Sequence, residues 1–231
     1  MAESILITGS NRGIGLELVR QYAEAGWRVF ACCRSPGTAD QLNQLKENHS
    51  LVSIHQLDIA DSQQIRALSN ELKGQALDIL FNNAGIYGPT NTSIGNISED
   101  DWLECLRINT IAPMKVTEAF IHNVELGERK LIATMSSKMG SMADNGSGGS
   151  YIYRSSKAAL NAVMKSASID LANKGIKVAI LHPGWVKTDM GGPNAEITVK
   201  ECVDNLRNNL DSVTVENSGS FFEIDGSIIP W

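Results

Sequence analysis

One pattern recurs along the chain and restricts its fold more than any other feature. Short apolar runs with little polar alternation are, all but the last, followed by a stretch with helical spacing. The runs are Ser4–Thr8, Arg28–Cys33, Leu51–Leu57, Leu77–Phe81, Lys130–Met135, Lys177–Leu181 and Phe221–Ile224. A strand with one wet face alternates polar and apolar residues. A strand without that alternation is covered on both sides, as parallel strands are by their helical crossovers. Between the runs, Leu16, Leu18, Val19 and Tyr22 mark the apolar stripe of a helix that Gly26 stops, and a second helix lies around Thr38–Glu47. Asp61 with Gln64, and Thr198 with Glu201, have the spacing of capping boxes. Ser98 caps a long helix towards Leu126, and Ile152–Asn173 forms another. The fold class predicted is α/β, a doubly wound and mostly parallel sheet with helices on both faces, in one domain spanning 1–231.

Composition supports this reading and removes others. A chain of 231 residues with 42% hydrophobic and 20% charged residues can bury a full core and is neither disordered nor fibrous. A formal net charge of −6 argues against a general nucleic-acid binder or a binder of acidic membranes. Cys32, Cys33, Cys105 and Cys202 form no C-x-x-C pair, and His49, His55, His122 and His182 share no ligand spacing, so no metal site is expected. Reduced thiols, a strand-like run already under way at Ile5 and no membrane-length apolar stretch predict a cytoplasmic protein.

Two local patterns carry chemistry. Thr8-Gly9-Ser10-Asn11-Arg12-Gly13-Ile14-Gly15 follows the first strand and opens the first helix. Glycines there let backbone N–H groups and the helix N-terminus approach a dinucleotide pyrophosphate. The spacing is G-x-x-x-G-x-G, and alone it is also what an ordinary tight turn can show. The second pattern is Tyr153 and Lys157, four residues apart and so on one helical face. A phenol has an unperturbed pKa of about 10, and a neighbouring ammonium favours its ionised form. Tyr151 lacks this arrangement, since Ser155 lies four residues on.

Taken together these residues resemble the short-chain dehydrogenases/reductases in their single-domain form. The resemblance rests on Thr8–Gly15, Asn82-Asn83-Ala84-Gly85, Asn109 in the long helix, Ser136-Ser137, the Tyr153-to-Lys157 pattern and Pro183-Gly184-Trp185-Val186-Lys187-Thr188. Within the family, the short length and the ending Asp225 to Trp231 are similar to the C-factor and sniffer-like carbonyl reductases. The resemblance implies a Ser/Tyr/Lys/Asn catalytic set of Ser137, Tyr153, Lys157 and Asn109. It implies a cofactor held by Gly9 to Gly15, Asp58, Ile59, Asn83, Ala84, Gly85, Tyr153, Lys157, Pro183, Gly184, Val186 and Thr188. Ser137 stands 16 residues before Tyr153, a longer spacing than the family's usual one. The polar loop Ser141–Ser150 is expected to absorb the surplus, and Ser136 and Ser141 remain alternatives for the serine.

An NAD site places a carboxylate at the end of the second strand to hold the ribose 2′-OH. Here that end reads Cys32-Cys33-Arg34, with Arg12 in the glycine turn. Two guanidiniums suit a 2′-phosphate, so NADP (NADPH) is expected over NAD. The implied function is reduction of a small-molecule carbonyl to an alcohol, and the reverse. The alternatives are a C-factor-like signalling protein on the same fold and, in third place, a sugar-nucleotide epimerase or dehydratase. The segment Asp189–Ile197 reads as a short, open lid. The resemblance implies that the long helices near 98–126 and 152–173 pair across a two-fold axis, giving a homodimer or homotetramer. Pro113, four residues after Asn109, cannot donate to that residue's carbonyl, and the resemblance implies that this oxygen holds a water near Lys157.

Overall fold

A computed structural model describes residues 2–90 and 92–231. Seven strands form one sheet in the order β3-β2-β1-β4-β5-β6-β7. They are β1 (Ser4–Thr8), β2 (Arg28–Cys33), β3 (Val52–Gln56), β4 (Ile79–Asn82), β5 (Leu131–Met135), β6 (Lys177–Leu181) and β7 (Ser220–Phe222), and every pairing between them is parallel. The helices are α1 (Gly13–Glu24), α2 (Asp40–Asn48), α3 (Ser62–Glu71), α4 (Glu99–Leu106), α5 (Ala112–Leu126), α6 (Tyr151–Asp170) and α7 (Val199–Asp211). Residues of β1 show why the strands do not alternate. Ile5 and Ile7 join the core under α1, α2 and α7, while Leu6 joins the core under α3, α5 and α6. Both faces are dry, so both sets of side chains are apolar. Among the described residues no helix is long and apolar enough to cross a membrane.

The chain runs from β1 outwards to β3, then returns to the other side of β1 to lay down β4. The carboxyl ends of β1 and β4 therefore flank the crevice where ligands bind in open α/β sheets. The glycine turn leaves β1 at this crevice, and Asn83-Ala84-Gly85 leaves β4.

One local expectation needs correction, and the long helix shows one feature of its own. At α3 the side chain of Asp61 accepts from the N–H groups of Gln63 and Gln64, but the box is only half formed. Gln64 Oε1 accepts instead from the Asp58 N–H at 2.8 Å, because the Asp61 N–H is already bonded to the Asp58 carbonyl at 3.0 Å. Thr198 and Glu201 make the full reciprocal box at α7. The long helix is not broken at Pro113. It widens just before it, into a π-helical turn over Arg107–Ile111 in which the Ala112 N–H reaches back to the Arg107 carbonyl. Pro113 then lies in the first turn of α5, where a missing N–H costs least.

Candidate active site

The glycine turn is built to bring backbone close to whatever lies in the crevice. Gly9 and Gly13 have φ of +68° and +54°, which L side chains rarely adopt. A Cβ at Gly15 would fall 2.2 Å from the Gly9 carbonyl oxygen. The segment after β4 braces this turn. Thr8 Oγ1 accepts from the N–H groups of Asn83 (3.0 Å) and Ala84 (3.1 Å). Asn83 Nδ2 donates to the carbonyls of Thr8 (2.9 Å) and Gly9 (3.1 Å). The Ser10 hydroxyl donates to the Ile7 carbonyl at 2.7 Å, and its N–H reaches the Cys32 carbonyl at 3.0 Å, tying the turn to the end of β2. The Asn83 and Ser10 side chains thus shape the turn from behind. Asn11, Arg12 and Arg34 are exposed, and the Arg12 guanidinium pairs with Asp189.

Beyond β3, Asp58 Oδ1 accepts from the Ala60 N–H at 2.9 Å, and the Ile59 side chain packs into the core. An open groove of about 600 Å³ borders Asp58, Ala60, Asp61, Ser62, Gln63, Arg66 and Arg107. Another concavity, lined by Glu3, Tyr22, Trp27, Arg129, Arg207 and Asp211, lies at the opposite, amino-terminal edge of the sheet and has no part in this site.

Ser137, Tyr153 and Lys157 converge at the carboxyl end of β5. The Ser137 side chain lies near enough to the Tyr153 phenol to lower its pKa, and Ser137 Oγ accepts from the Met139 N–H at 3.2 Å. The two alternative serines are turned elsewhere, Ser136 to Asn161 and Ser141 to the Pro230 carbonyl. Lys157 is buried, with Nζ 5.8 Å from the Tyr153 ring centroid and donating to the Met135 carbonyl at 2.9 Å. Burial pushes the Tyr153 phenol up to about 12, against a smaller lowering effect of the nearby Ser137 side chain. Burial also brings the Lys157 ammonium down to about 8. The expected lowering of the phenol by its neighbouring ammonium is therefore overturned. Desolvation dominates both groups, and the lysine spends its hydrogen bond on backbone rather than on the phenol.

Asn109 sits in the π-helical turn and its side chain faces inward. Its Oδ1 accepts from the Ile86 N–H (2.9 Å), while Nδ2 donates to the Ile86 carbonyl (2.8 Å) and to Ser156 Oγ (3.0 Å). A Cβ at Gly85 would meet Asn109 Oδ1 at 3.1 Å and Lys157 Nζ at 3.5 Å, so glycine lets this segment lie against both.

On the far side of the crevice, Gly184 has φ +79° and a Cβ there would strike Ile197 at 2.9 Å. Val186 forms a parallel bridge with Ile197 through the Lys187 N–H and the Trp185 carbonyl, so its own N–H takes no part in that bridge. Thr188 Oγ1 accepts from the Gly191 N–H at 3.1 Å, and its methyl group lies 3.4 Å from where a Gly13 Cβ would be. The segment read as an open lid is fastened. Trp185 Nε1 donates to the Gly191 carbonyl at 2.8 Å, and the Gly192 N–H bonds to the Thr188 carbonyl. The Ser141–Ser150 loop is also held, by Arg154 at Met139, Ser147 and Gly148.

Sequence reasoning missed Tyr87. Its ring stacks on Tyr153 with centroids 4.5 Å apart. An aromatic residue two positions after Gly85 was the available signal.

The family model for short chain dehydrogenase matches residues 3–197. The C-signal protein of Myxococcus xanthus is 38% identical over 167 residues, covering 72% of this chain and all of its own. The carbonyl reductase Sniffer of D. melanogaster superposes with a TM-score of 0.94 at 35% identity, with all of both chains covered. An NADPH-bound carbonyl reductase from chicken fatty liver gives 0.93 at 35% identity, covering all of this chain and 99% of that one. The family model spans well over half of the chain, so the chain belongs to the short chain dehydrogenase family and is an oxidoreductase.

Proposed function

We propose that this chain is an NADPH-dependent carbonyl reductase that also runs the reverse alcohol oxidation. The observation that carries the reading is the convergence of Ser137, Tyr153 and Lys157, facing the braced glycine turn across the crevice. The residues fit the cofactor. Gly9, Gly13 and Gly15 leave backbone exposed where side chains would fill the cradle, and no carboxylate ends β2 to repel a 2′-phosphate. Arg12 and Arg34 would hold that phosphate, Asp58 the adenine amino group, and Val186 N–H and Thr188 the carboxamide. The known binding of NADPH by the chicken reductase supports the same choice.

Bound NADPH supplies the hydride that reduces the carbonyl carbon. Negative charge then develops on the carbonyl oxygen, and Ser137 donates a hydrogen bond to it. Tyr153 transfers its phenolic proton to that oxygen, giving the alcohol, and is later reprotonated. A phenol pushed up to about 12 is fully protonated at neutral pH, the state a proton donor needs. Lys157 favours the transient phenolate by its charge, and Asn109 holds Ile86 and the wall of the site that follows it. Leu103 and Ile111, exposed apolar residues of the α4–α5 rod, support a homo-oligomer that sedimentation would detect.

The C-signal relative favours a second reading, a signalling protein that binds nucleotide on this fold. A carbonyl panel offered with NADPH and with NADH, followed by loss of reduced-nicotinamide absorbance, separates the two. Steady turnover with NADPH is expected. Tight NADPH binding with no turnover on any carbonyl would overturn the reductase reading.

A further inference from the structure

The candidate proton donor is covered on one face by a second tyrosine. The rings of Tyr87 and Tyr153 stack with centroids 4.5 Å apart and planes 26° from parallel. Tyr87 is fixed along its length. Before it, Ile86 is held through both backbone groups by the Asn109 side chain, at 2.9 and 2.8 Å. After it, Gly88 has φ +78°, and a Cβ there would lie 3.6 Å from Ile152 and 3.8 Å from Cys105. At its tip, the Tyr87 hydroxyl lies 3.2 Å from Ser150 Oγ. Ser150 is itself in the left-handed region, φ 46°, directly before α6, the helix that carries Tyr153 and Lys157.

We propose that Tyr87 is a positioning residue of this site: its ring is a fixed wall on one face of Tyr153, holding the phenol in one orientation, keeping water from that face and directing substrate carbonyls to it from the Ser137 side. The inference rests on Tyr153 being the proton donor. It also gives Asn109 a task beyond its own position, since the Asn109–Ile86 pair sets where the Tyr87 ring begins.

The wall has consequences that simple packing would not have. Tyr153 is 8% exposed, and its burial is what raises the phenol. Removing the Tyr87 ring lets water reach the phenol and moves its ionisation to lower pH. The other ionisable groups facing Tyr153 are Lys157 on its own helix and Cys105 on α4, and burial keeps the Cys105 thiol protonated. In alcohol oxidation the phenolate is the base, so the rate climbs with pH through the phenol's ionisation. That limb should therefore move to lower pH when the wall is removed.

The test compares Tyr87→Ala, Tyr87→Leu and Tyr87→Phe with the parent enzyme, with Tyr153→Phe as reference. For Tyr87→Ala, kcat for a small carbonyl should fall about tenfold or more, while NADPH Kd by fluorescence stays within about twofold. The alkaline limb of oxidation should shift down by about one unit, and KM for a bulky ketone should fall as the wall is removed. Tyr87→Phe keeps the ring and should restore the limb and most of kcat. If Tyr87→Ala does not fold, Tyr87→Leu fills the space without an aromatic face, and the same comparison decides. Parent-like kcat and pH limb in the folded variant, with Tyr153→Phe inactive, would show that Tyr87 only packs. An active Tyr153→Phe would instead overturn the reading on which the inference rests.

Discussion

Arg12 Nη1 lies 2.7 Å from Asp189 Oδ2, so an ion pair joins the glycine turn to the segment after Thr188. Their side chains are 69% and 77% exposed. A pair so placed is worth at most about 1 kcal/mol, less in salt. A doubly charged 2′-phosphate can therefore draw Arg12 away from it. Asp189 competes for the guanidinium and also repels phosphate. Asp189→Asn should lower KM for NADPH by roughly twofold to fivefold and leave KM for NADH unchanged. Arg34→Ala should raise KM for NADPH by about tenfold and spare NADH. Steady-state kinetics with both cofactors check this. Equal effects on the two cofactors would remove Arg12 and Arg34 from the phosphate site.

The serine and tyrosine assignments divide cleanly by substitution. Tyr153→Phe and Ser137→Ala should each lower kcat by roughly 10²–10⁴-fold with NADPH binding retained. Tyr151→Phe and Ser136→Ala should keep most of the activity, because Ser155, not a lysine, lies four residues after Tyr151 and Ser136 is spent on Asn161. A crippling Ser136 or Tyr151 change, beside a mild Ser137 change, would move the site.

Much of this arrangement was legible because each strand and turn carries its own local signal. Unbroken apolar runs report strands dry on both faces, and Gly9, Gly13 and Gly15 report backbone that must come close. What could not be read depends on side chains meeting across the fold. The Asn109–Ile86 pair, Tyr87 on Tyr153 and Arg12 with Asp189 join residues 23, 66 and 177 positions apart in the chain, and no periodicity encodes such distances. The sign of the phenol's shift was also hidden. Y-x-x-x-K spacing says that charge is near, but not that burial of both groups outweighs it.

Lys157 trades stability for chemistry. Its pKa falls from 10.5 to about 8, which corresponds to roughly 3 kcal/mol of cost for keeping a buried ammonium, set against its bond to the Met135 carbonyl. Below pH 8 the folded lysine is charged and that cost is fully present. Between pH 8 and 10.5 the unfolded state binds more protons than the folded one, so stability rises with pH. Lys157→Met should therefore abolish turnover yet raise the urea midpoint at pH 7, with the gain fading towards pH 10.5. In the parent enzyme, kcat/KM for NADPH should decline as pH rises through about 8. A Lys157→Met protein less stable than its parent at pH 7 would show that the Met135 hydrogen bond outweighs the charge.

The π-helical turn before Pro113 is open to a test of its own. In regular α-helix, an N–H at position 113 would bond to the carbonyl of Asn109. Proline has no N–H to offer, so widening the turn at Arg107–Ile111 forfeits no donor at that position. The inward pins on the Asn109 side chain, at 2.9 Å and 2.8 Å to Ile86, resist straightening. Pro113→Ala should therefore leave the turn in place while supplying a donor that competes for the Asn109 carbonyl. If that oxygen serves a water on the proton path from Lys157, kcat should fall by roughly threefold to tenfold, with KM for NADPH within about twofold. The melting temperature should change little or rise, since proline within a helix is replaced by a better helix former. A crystal structure of the variant reports the turn directly. Unchanged kcat with the turn intact would make Pro113 a residue that shapes the helix and nothing more.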